Sequence, residues 1–179
     1  MALKATIFKA ELTVSDLDRG HFETHSLTIA RHPSETDERL MVRLLAFALN
    51  ADERLSFGRG LSSEGEADLV LTDLTGAIDL WVDVGLPDER EIRKASGRAS
   101  RVAVYIYGTG AESWWKQNAP ALERLANVTV VDFPIEATRA MAARAARNMK
   151  LQCTIQDGHV WLADAEVSLA IEPVVRKAA

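Results

Sequence analysis

The stretch Ile78-Asp79-Leu80-Trp81-Val82-Asp83-Val84-Gly85, IDLWVDVG, reads as a β-strand that gives two of its positions to carboxylates. Side chains alternate across a strand, so Ile78, Leu80, Val82 and Val84 take one face and Asp79, Trp81, Asp83 and Gly85 the other. The two acids stand roughly 13 Å apart at about 3.3 Å per residue, too far to share a proton but close enough to line one cleft. The segments on either side of this strand decide the fold.

Upstream, RHPSETDERLMVRLLAFALNADERL carries apolar residues at helical spacing, with Ser34 as N-cap and Asp37 and Glu38 in the first turn, so a helix is expected over 34–50. Gly58, Gly60 and Gly65 punctuate the next segment, leaving short strands at 54–57 and 67–71. Downstream, Pro87 opens a helix running to about Ser96, with Asp88 and Glu89 near its N-terminus. The continuous apolar run VAVYIY, residues 102–107, predicts a strand buried on both faces. A helix over about 112–126, a strand at 128–133 and an alanine-rich helix over 135–147, carrying Arg139, Arg144 and Arg147, complete the middle of the chain.

Both ends read as hairpins. Alternating runs at 3–14 and 22–30 flank SDLDRGH, and strands at 149–156 and 159–163 flank Asp157-Gly158, a strong two-residue turn signal, with a further strand at 166–172. No repeat or low-complexity linker divides the chain. The expectation is one domain over 1–179 of the α/β or α+β class, a mixed β-sheet flanked by helices with hairpins at both ends.

Composition narrows the function. Of 179 residues, 47% are hydrophobic, enough for a sizeable core. Cys153 is the single cysteine, so there is neither a disulfide framework nor a Cys-rich zinc site. The N-terminus alternates instead of forming an apolar block, and no run approaches the roughly 18 apolar residues of a membrane span. A cytoplasmic protein is expected. The net charge of −5 argues against a binder held to nucleic acid by overall charge. Residues 89–101, EREIRKASGRASR, nevertheless concentrate Arg90, Arg93, Lys94, Arg98 and Arg101 directly after the acidic strand. That segment is either a solvated helix face or a local nucleic-acid contact surface.

The common catalytic motifs are absent: no GxGxxG after a strand, no P-loop and no GxSxG elbow. The spacing of His21, His25, His32 and His159 is read as no zinc centre; His21 and His159 fall at turns, and His32, before Pro33, reads as a side chain holding a helix entry. Of the adjacent Trp114 and Trp115, one is expected in the core and the other half-exposed. Carboxylates remain. Hard cations such as Mg²⁺ take carboxylate oxygens and water, and the bound water can attack a phosphodiester. Asp68 and Asp83 would meet if their strands pair, with Glu38 on the preceding helix and Lys94 on the following one.

The order helix, three short strands, helix, strand is the αβββαβ order of the PD-(D/E)XK nuclease core, here over about 34–133. More specifically, ATIFKAEL, ARHPSETDERLMVRLLAFAL, DERLSFGRGLS, GAIDLWVDVGLPDEREIRKASGRA and LQCTIQDGHVWL together resemble the YaeQ family over nearly the whole length. The resemblance implies a bacterial protein with a compact variant of the restriction-endonuclease-like fold. It further implies metal-binding roles for Asp68 and Asp83, a supporting acid in Glu38 and possible Mg²⁺-dependent nuclease or phosphodiesterase activity. The chain departs from that pattern in two places: Ala67 replaces the proline before Asp68, and Gly85 stands where a lysine is expected two residues after Asp83. The resemblance therefore implies a lysine migrated to the next helix, Lys94 or else Arg93. The alternative is a catalytically degenerate module that binds nucleic acid, through Arg90, Arg93, Arg98 and Arg101, or a protein partner. The family has also been associated with transcription, for which the sequence contains no recognisable module.

Overall fold

A computed structural model describes residues 4–58 and 65–179. The predicted loop glycine Gly60 lies outside the described residues. The element order is β1 (Thr6–Asp16), β2 (His21–Arg31), α1 (Asp37–Leu49), β3 (Leu55–Phe57), β4 (Leu69–Thr72), β5 (Ile78–Val84), α2 (Glu89–Arg98), β6 (Ala99–Tyr107), α3 (Ala111–Leu122), β7 (Val128–Phe133), α4 (Ile135–Ala142), β8 (Asn148–Gln156), β9 (His159–Ala163), β10 (Ser168–Ile171) and β11 (Val174–Lys177).

The strands form two mixed sheets, where the sequence pattern predicts one. The first runs β10-β9-β8-β1-β2 and the second β11-β7-β6-β5-β4-β3. The terminal hairpins do not extend the central sheet; they join each other, because β1 pairs in parallel with β8 from Lys9↔Asn148 to Asp16↔Ile155. Asp18 fastens the two turns, its carboxylate accepting the backbone N–H groups of Asp157 and Gly158 at 2.7 and 2.9 Å. Asp157 and Gly158 both have positive φ, 52° and 76°, which is the geometry an Asp-Gly hairpin turn requires.

Helix α1 lies between the sheets. Every residue from Leu40 to Ala48 is buried, Arg43 included, and a helix apolar on all sides is stable only when covered on all sides. One core joins α1 to β1, β2, β8 and β9 and to the Leu80, Val82 and Val84 face of the second sheet. A second core packs Trp81, Val102, Val104 and Val128 under Ile92 and Ala95 of α2 and Leu122 of α3. The layers are sheet, α1 with α4, sheet, then α2 with α3. Strand β5 is thus covered on both faces, which accounts for its near-continuous apolar sequence.

Several boundaries differ from the sequence reading. Helix α1 is capped by Thr36, whose hydroxyl accepts the Arg39 N–H at 3.1 Å, and not by Ser34. Ser34 is engaged with His32 Nδ1, through its hydroxyl at 2.6 Å and its N–H at 3.1 Å, so His32 does hold the turn. Helix α4 ends at Ala142, leaving Arg144 and Arg147 beyond it; Arg144 pairs with Asp164 and Glu166, and Arg147 donates to the Ile7 carbonyl at 3.0 Å. Trp114 and Trp115 are both half-buried against the second core, and Trp114 donates its indole N–H to the Pro87 carbonyl at 2.9 Å. Cys153 is a buried core residue whose thiol burial pushes up to about 12. No helix among the described residues is long and apolar enough to cross a membrane.

A buried acid pair and the basic groove behind it

Strand β5 has antiparallel β4 on one side and parallel β6 on the other. Its pairing continues one residue before β4, where the Asp68 N–H donates to the Val82 carbonyl at 2.9 Å. That extension sets Asp68 beside Asp83, and the close approach is felt in their electrostatics, Asp68 opposing ionisation of Asp83. Both are buried, with relative exposures of 7% and 9%.

The two carboxyls are held differently. Asp68 accepts the Val84 N–H at 2.7 Å on one oxygen and Arg39 Nη2 at 2.7 Å on the other. Asp83 accepts the Trp81 indole N–H at 3.0 Å. Burial first, and the Asp68 charge second, raise the Asp83 carboxyl to about 7. A buried carboxyl poised near neutrality, with a second acid beside it, is characteristic of functional sites.

Arg39 belongs to a larger network that sequence reasoning missed. Its Nη1 donates to Glu35 at 2.6 Å, and the other Glu35 oxygen accepts Arg43 Nη2, also at 2.6 Å. The same Arg43 nitrogen reaches the Ala30 carbonyl of β2 at 3.0 Å, so the chain of bonds spans from the first sheet to the second. Arg43 Nε and Nη1 have no hydrogen-bond partner among the described residues, and the guanidinium lies 5.9 Å from the Phe57 ring centre. Two guanidiniums, those of Arg39 and Arg43, pair with the two acids Glu35 and Asp68. Asp83 has no ion-pair partner among the described residues, and burial and the neighbouring Asp68 favour its protonated form. The signal in the sequence is Glu35, Arg39 and Arg43 at four-residue spacing, with Arg43 alone among apolar residues: a charge there must be buried and paired.

Whether this pair suits a divalent cation can be judged from its donors. Asp68, Asp83 and the Val84 carbonyl are oxygen ligands of the type Mg²⁺ takes. Arg39 Nη2 lies 2.7 Å from Asp68 Oδ1 and 3.4 Å from the Val84 oxygen, so the guanidinium sits between two of those donors. The donor chemistry fits a hard cation, and Arg39 must withdraw to admit one.

The other predicted residues stand apart from the acid pair. Lys94 pairs with Glu91 at 3.1 Å on the outer surface of α2, its side chain 71% exposed, with no ion pair to Asp68 or Asp83 among the described residues. Glu38 accepts the Thr138 hydroxyl at 3.2 Å, tying α1 to α4. Asp79 pairs with Arg54 at 3.7 Å, at a bulge where β4 and β5 slip by one residue, and does not join Asp83. Gly85 has φ +106°, a conformation L side chains rarely adopt. The backbone itself therefore disfavours a lysine at the expected position, even though no atom would crowd a Cβ there.

Behind the acids, α2 and Trp81 border a groove of about 500 Å³ whose walls include Arg93, Lys94, Arg98 and Glu91. The Arg98 guanidinium lies 5.2 Å from the Trp81 ring centre, and the other edge of the same indole holds Asp83. Arg93 pairs with Glu89 one turn back. Arg90 and Arg101 are exposed and outside the groove wall. Trp81 is thus the physical link between Asp83 and the basic groove on one face of β5.

The sequence profile of the YaeQ protein family matches residues 1–173. The uncharacterized protein YaeQ of Escherichia coli K12 is 49% identical over 172 residues, covering 96% of this chain and 95% of that protein. The Salmonella typhi protein of the same description is 49% identical over 173 residues, covering 96% of each. Among solved structures, the YaeQ protein from Xanthomonas axonopodis pv. citri superposes with a TM-score of 0.95 at 51% identity, covering 98% of this chain and 99% of that one. The YaeQ protein from Pseudomonas syringae gives 0.94 at 35% identity, covering 98% and 97%. Likeness of this extent, in sequence and in fold alike, places the chain in the YaeQ family.

Proposed function

We propose that this chain is a nuclease-like module that binds nucleic acid through the α2 groove while Arg39 keeps its acid pair neutralised from within. The observation that carries the reading is the groove: Arg93, Lys94 and Arg98 converge around Trp81 on the face of β5 that bears Asp83. Guanidinium and ammonium groups recognise phosphate, and exposed pairs such as Lys94–Glu91 hold so weakly that phosphate can replace the carboxylate at little cost. Trp81 is buried and covered by Arg98, so it positions that arginine and offers no open face for stacking a base. Arg90 and Arg101 extend the basic surface beyond the groove. The test is binding of single- and double-stranded DNA and RNA oligonucleotides in the presence of a chelator, followed by fluorescence anisotropy across a salt series. Affinity should fall steeply with salt, and the slope should flatten when Arg90, Arg93, Arg98 and Arg101 are replaced by Gln. Affinity indifferent to salt and to those substitutions would sink the reading.

One observation favours a second reading, Mg²⁺-dependent phosphodiester hydrolysis. Asp83 is raised to about 7 beside Asp68, and a divalent cation is what relieves two carboxyls so placed. Asp68, Asp83 and the Val84 carbonyl would hold the ion, which when bound supplies an activated water. Glu38 and Lys94 would have to leave Thr138 and Glu91 to support it. On this reading Mg²⁺ or Mn²⁺ raises the Tm, Asp83→Asn abolishes the rise, and cleavage of oligonucleotides is lost in Lys94→Ala.

A further inference from the structure

We infer that His21, Glu23 and His25 of β2 form a site for a divalent transition metal of the Zn²⁺ class. The three residues alternate along the strand, so all three project from one face. His21 Nε2 and His25 Nε2 are 3.0 Å apart, and the Glu23 carboxylate oxygen is 3.7 Å from the first and 3.9 Å from the second. Two imidazoles and a carboxylate at Zn²⁺ bond lengths of about 2.0–2.1 Å place tetrahedral ligand atoms about 3.3 Å from one another. The observed separations, 3.0, 3.7 and 3.9 Å, bracket that figure. Adjustment of exposed Glu23, at the open side of the cluster, completes it.

The cluster is more than a pair of histidines sharing a hydrogen bond. The rings are nearly parallel, with an interplanar angle of 12° and centroids 5.3 Å apart, and the two ε nitrogens are brought together at one edge of the stack. At most one proton lies between them, so one nitrogen offers a lone pair, and the other does so after a tautomer shift to Nδ1. Glu23 lies too far from both rings for a hydrogen bond, and no lysine or arginine pairs with it among the described residues. Three ligand atoms thus lie within 3.9 Å of one another, an arrangement that a divalent cation would bridge. His25 is fixed from below, buried at 8% exposure and edge-on to Phe47 at 5.1 Å. Arg19 ties the β1–β2 hairpin to the chain after α1 by donating to the Ala51 carbonyl at 3.2 Å. Asp52 there acts electrostatically on both histidines while its carboxylate is bonded to Arg54, so water completes the coordination.

The sequence pattern predicts no zinc centre. His21 and His25 stand four apart, a spacing sought on helices; on a strand four is an even number, so it too puts both rings on one face. The site faces the C-terminal end of α1, on the edge strand of the first sheet, and is separate from the acid pair.

The experiment is calorimetric titration of the chelator-treated full chain with Zn²⁺, and with Co²⁺ for its absorption spectrum. One Zn²⁺ per chain is expected, and Co²⁺ should show the intense visible bands of a tetrahedral site. His21→Gln and Glu23→Gln alter exposed or half-exposed groups and leave the buried His25 in place, so both variants should fold. Loss of a ligand should weaken Zn²⁺ binding by at least the roughly 10–100-fold that loss of a mere supporting partner costs. Asp83→Asn should bind Zn²⁺ as the parent does, which separates this site from the acid pair. Absence of binding in the parent, or affinity unchanged in His21→Gln, overturns the inference; so does Zn²⁺ binding that disappears in Asp83→Asn alone.

Discussion

The Asp68–Asp83 pair and the histidines of β2 lie at opposite ends of α1, one cluster reached by Arg39 from its first turn and the other resting on Phe47 near its last. Both gather ligand-type side chains on a strand. At the buried end the fold supplies its own cation, Arg39, bonded to Asp68 and braced by Glu35 and Arg43. At the edge-strand end no such cation accompanies Glu23 among the described residues, and the cluster is left open at exposed Glu23. Burial explains the difference. A carboxylate deep between two sheets cannot rely on water, so the chain had to provide a counter-charge, whereas a half-exposed cluster can wait for an external ion.

The comparison is broken most forcefully at Arg39. Replacing it with Ala leaves Asp68 buried without its ion-pair partner, at an expected cost of about 3–5 kcal/mol in chemical denaturation. The same variant should respond to Mg²⁺ more strongly than the parent, since the guanidinium no longer stands between Asp68 and the Val84 carbonyl. A loss of stability below about 1 kcal/mol would show that Arg39 is not the internal cation.

Asp83 gives the next effect, opposite in sign. Its carboxyl titrates near 7 in the folded chain, against 3.8 ordinarily. Between those values the folded state holds a proton that the unfolded state has released, so this group's contribution to stability falls as pH rises and levels off above about 7. Asp83→Asn mimics the protonated form and can still accept the Trp81 N–H. Relative to the parent it should be neutral near pH 4 and more stable above pH 8 by up to about 4 kcal/mol, as read from denaturant midpoints across that range. Equal stability at both pH values would mean that Asp83 ionises normally.

Smaller effects sharpen the contrast at the surface. Saturating Zn²⁺, at about 100 times its Kd, should stabilise the parent chain by about 2.7 kcal/mol and His21→Gln by far less. Removing Arg98 from the Trp81 ring should cost about 0.5–1 kcal/mol. Lys94→Ala should change stability by no more than about 0.5 kcal/mol, because Lys94 takes part only in an exposed pair with Glu91.

Much of the fold is legible from pattern. The period-2 runs of β1 and β2, the Asp157-Gly158 turn and the apolar helix α1 all appear where local chemistry places them. What pattern does not reveal is pairing at a distance: nothing in residues 6–16 announces that β1 lies parallel to β8, more than a hundred residues on, and so pattern alone reads two sheets as one. Strand β11 escapes such a reading because Val174–Lys177 is short and half polar, and it is held by its register against β7. The candidate site is legible in its acids, since Asp68 and Asp83 follow from strand pairing. It is not legible in its cation. Position in the chain after β5 favours Lys94, yet the group that reaches the acids comes from the helix before them. The His21–His25 pair is likewise present in the letters, but reading His21 as a turn residue hides that it begins the strand and shares a face with His25.

The most direct measurement tracks an end-labelled oligonucleotide incubated with the protein, in parallel with excess Mg²⁺ and with a chelator, scoring bound and cleaved fractions together. If Arg39 holds the acid pair neutral and the α2 groove does the binding, the oligonucleotide is bound and intact in both conditions. Cleavage that requires Mg²⁺ and vanishes in both Asp68→Ala and Asp83→Asn would contradict that account and establish the acids as a working metal site.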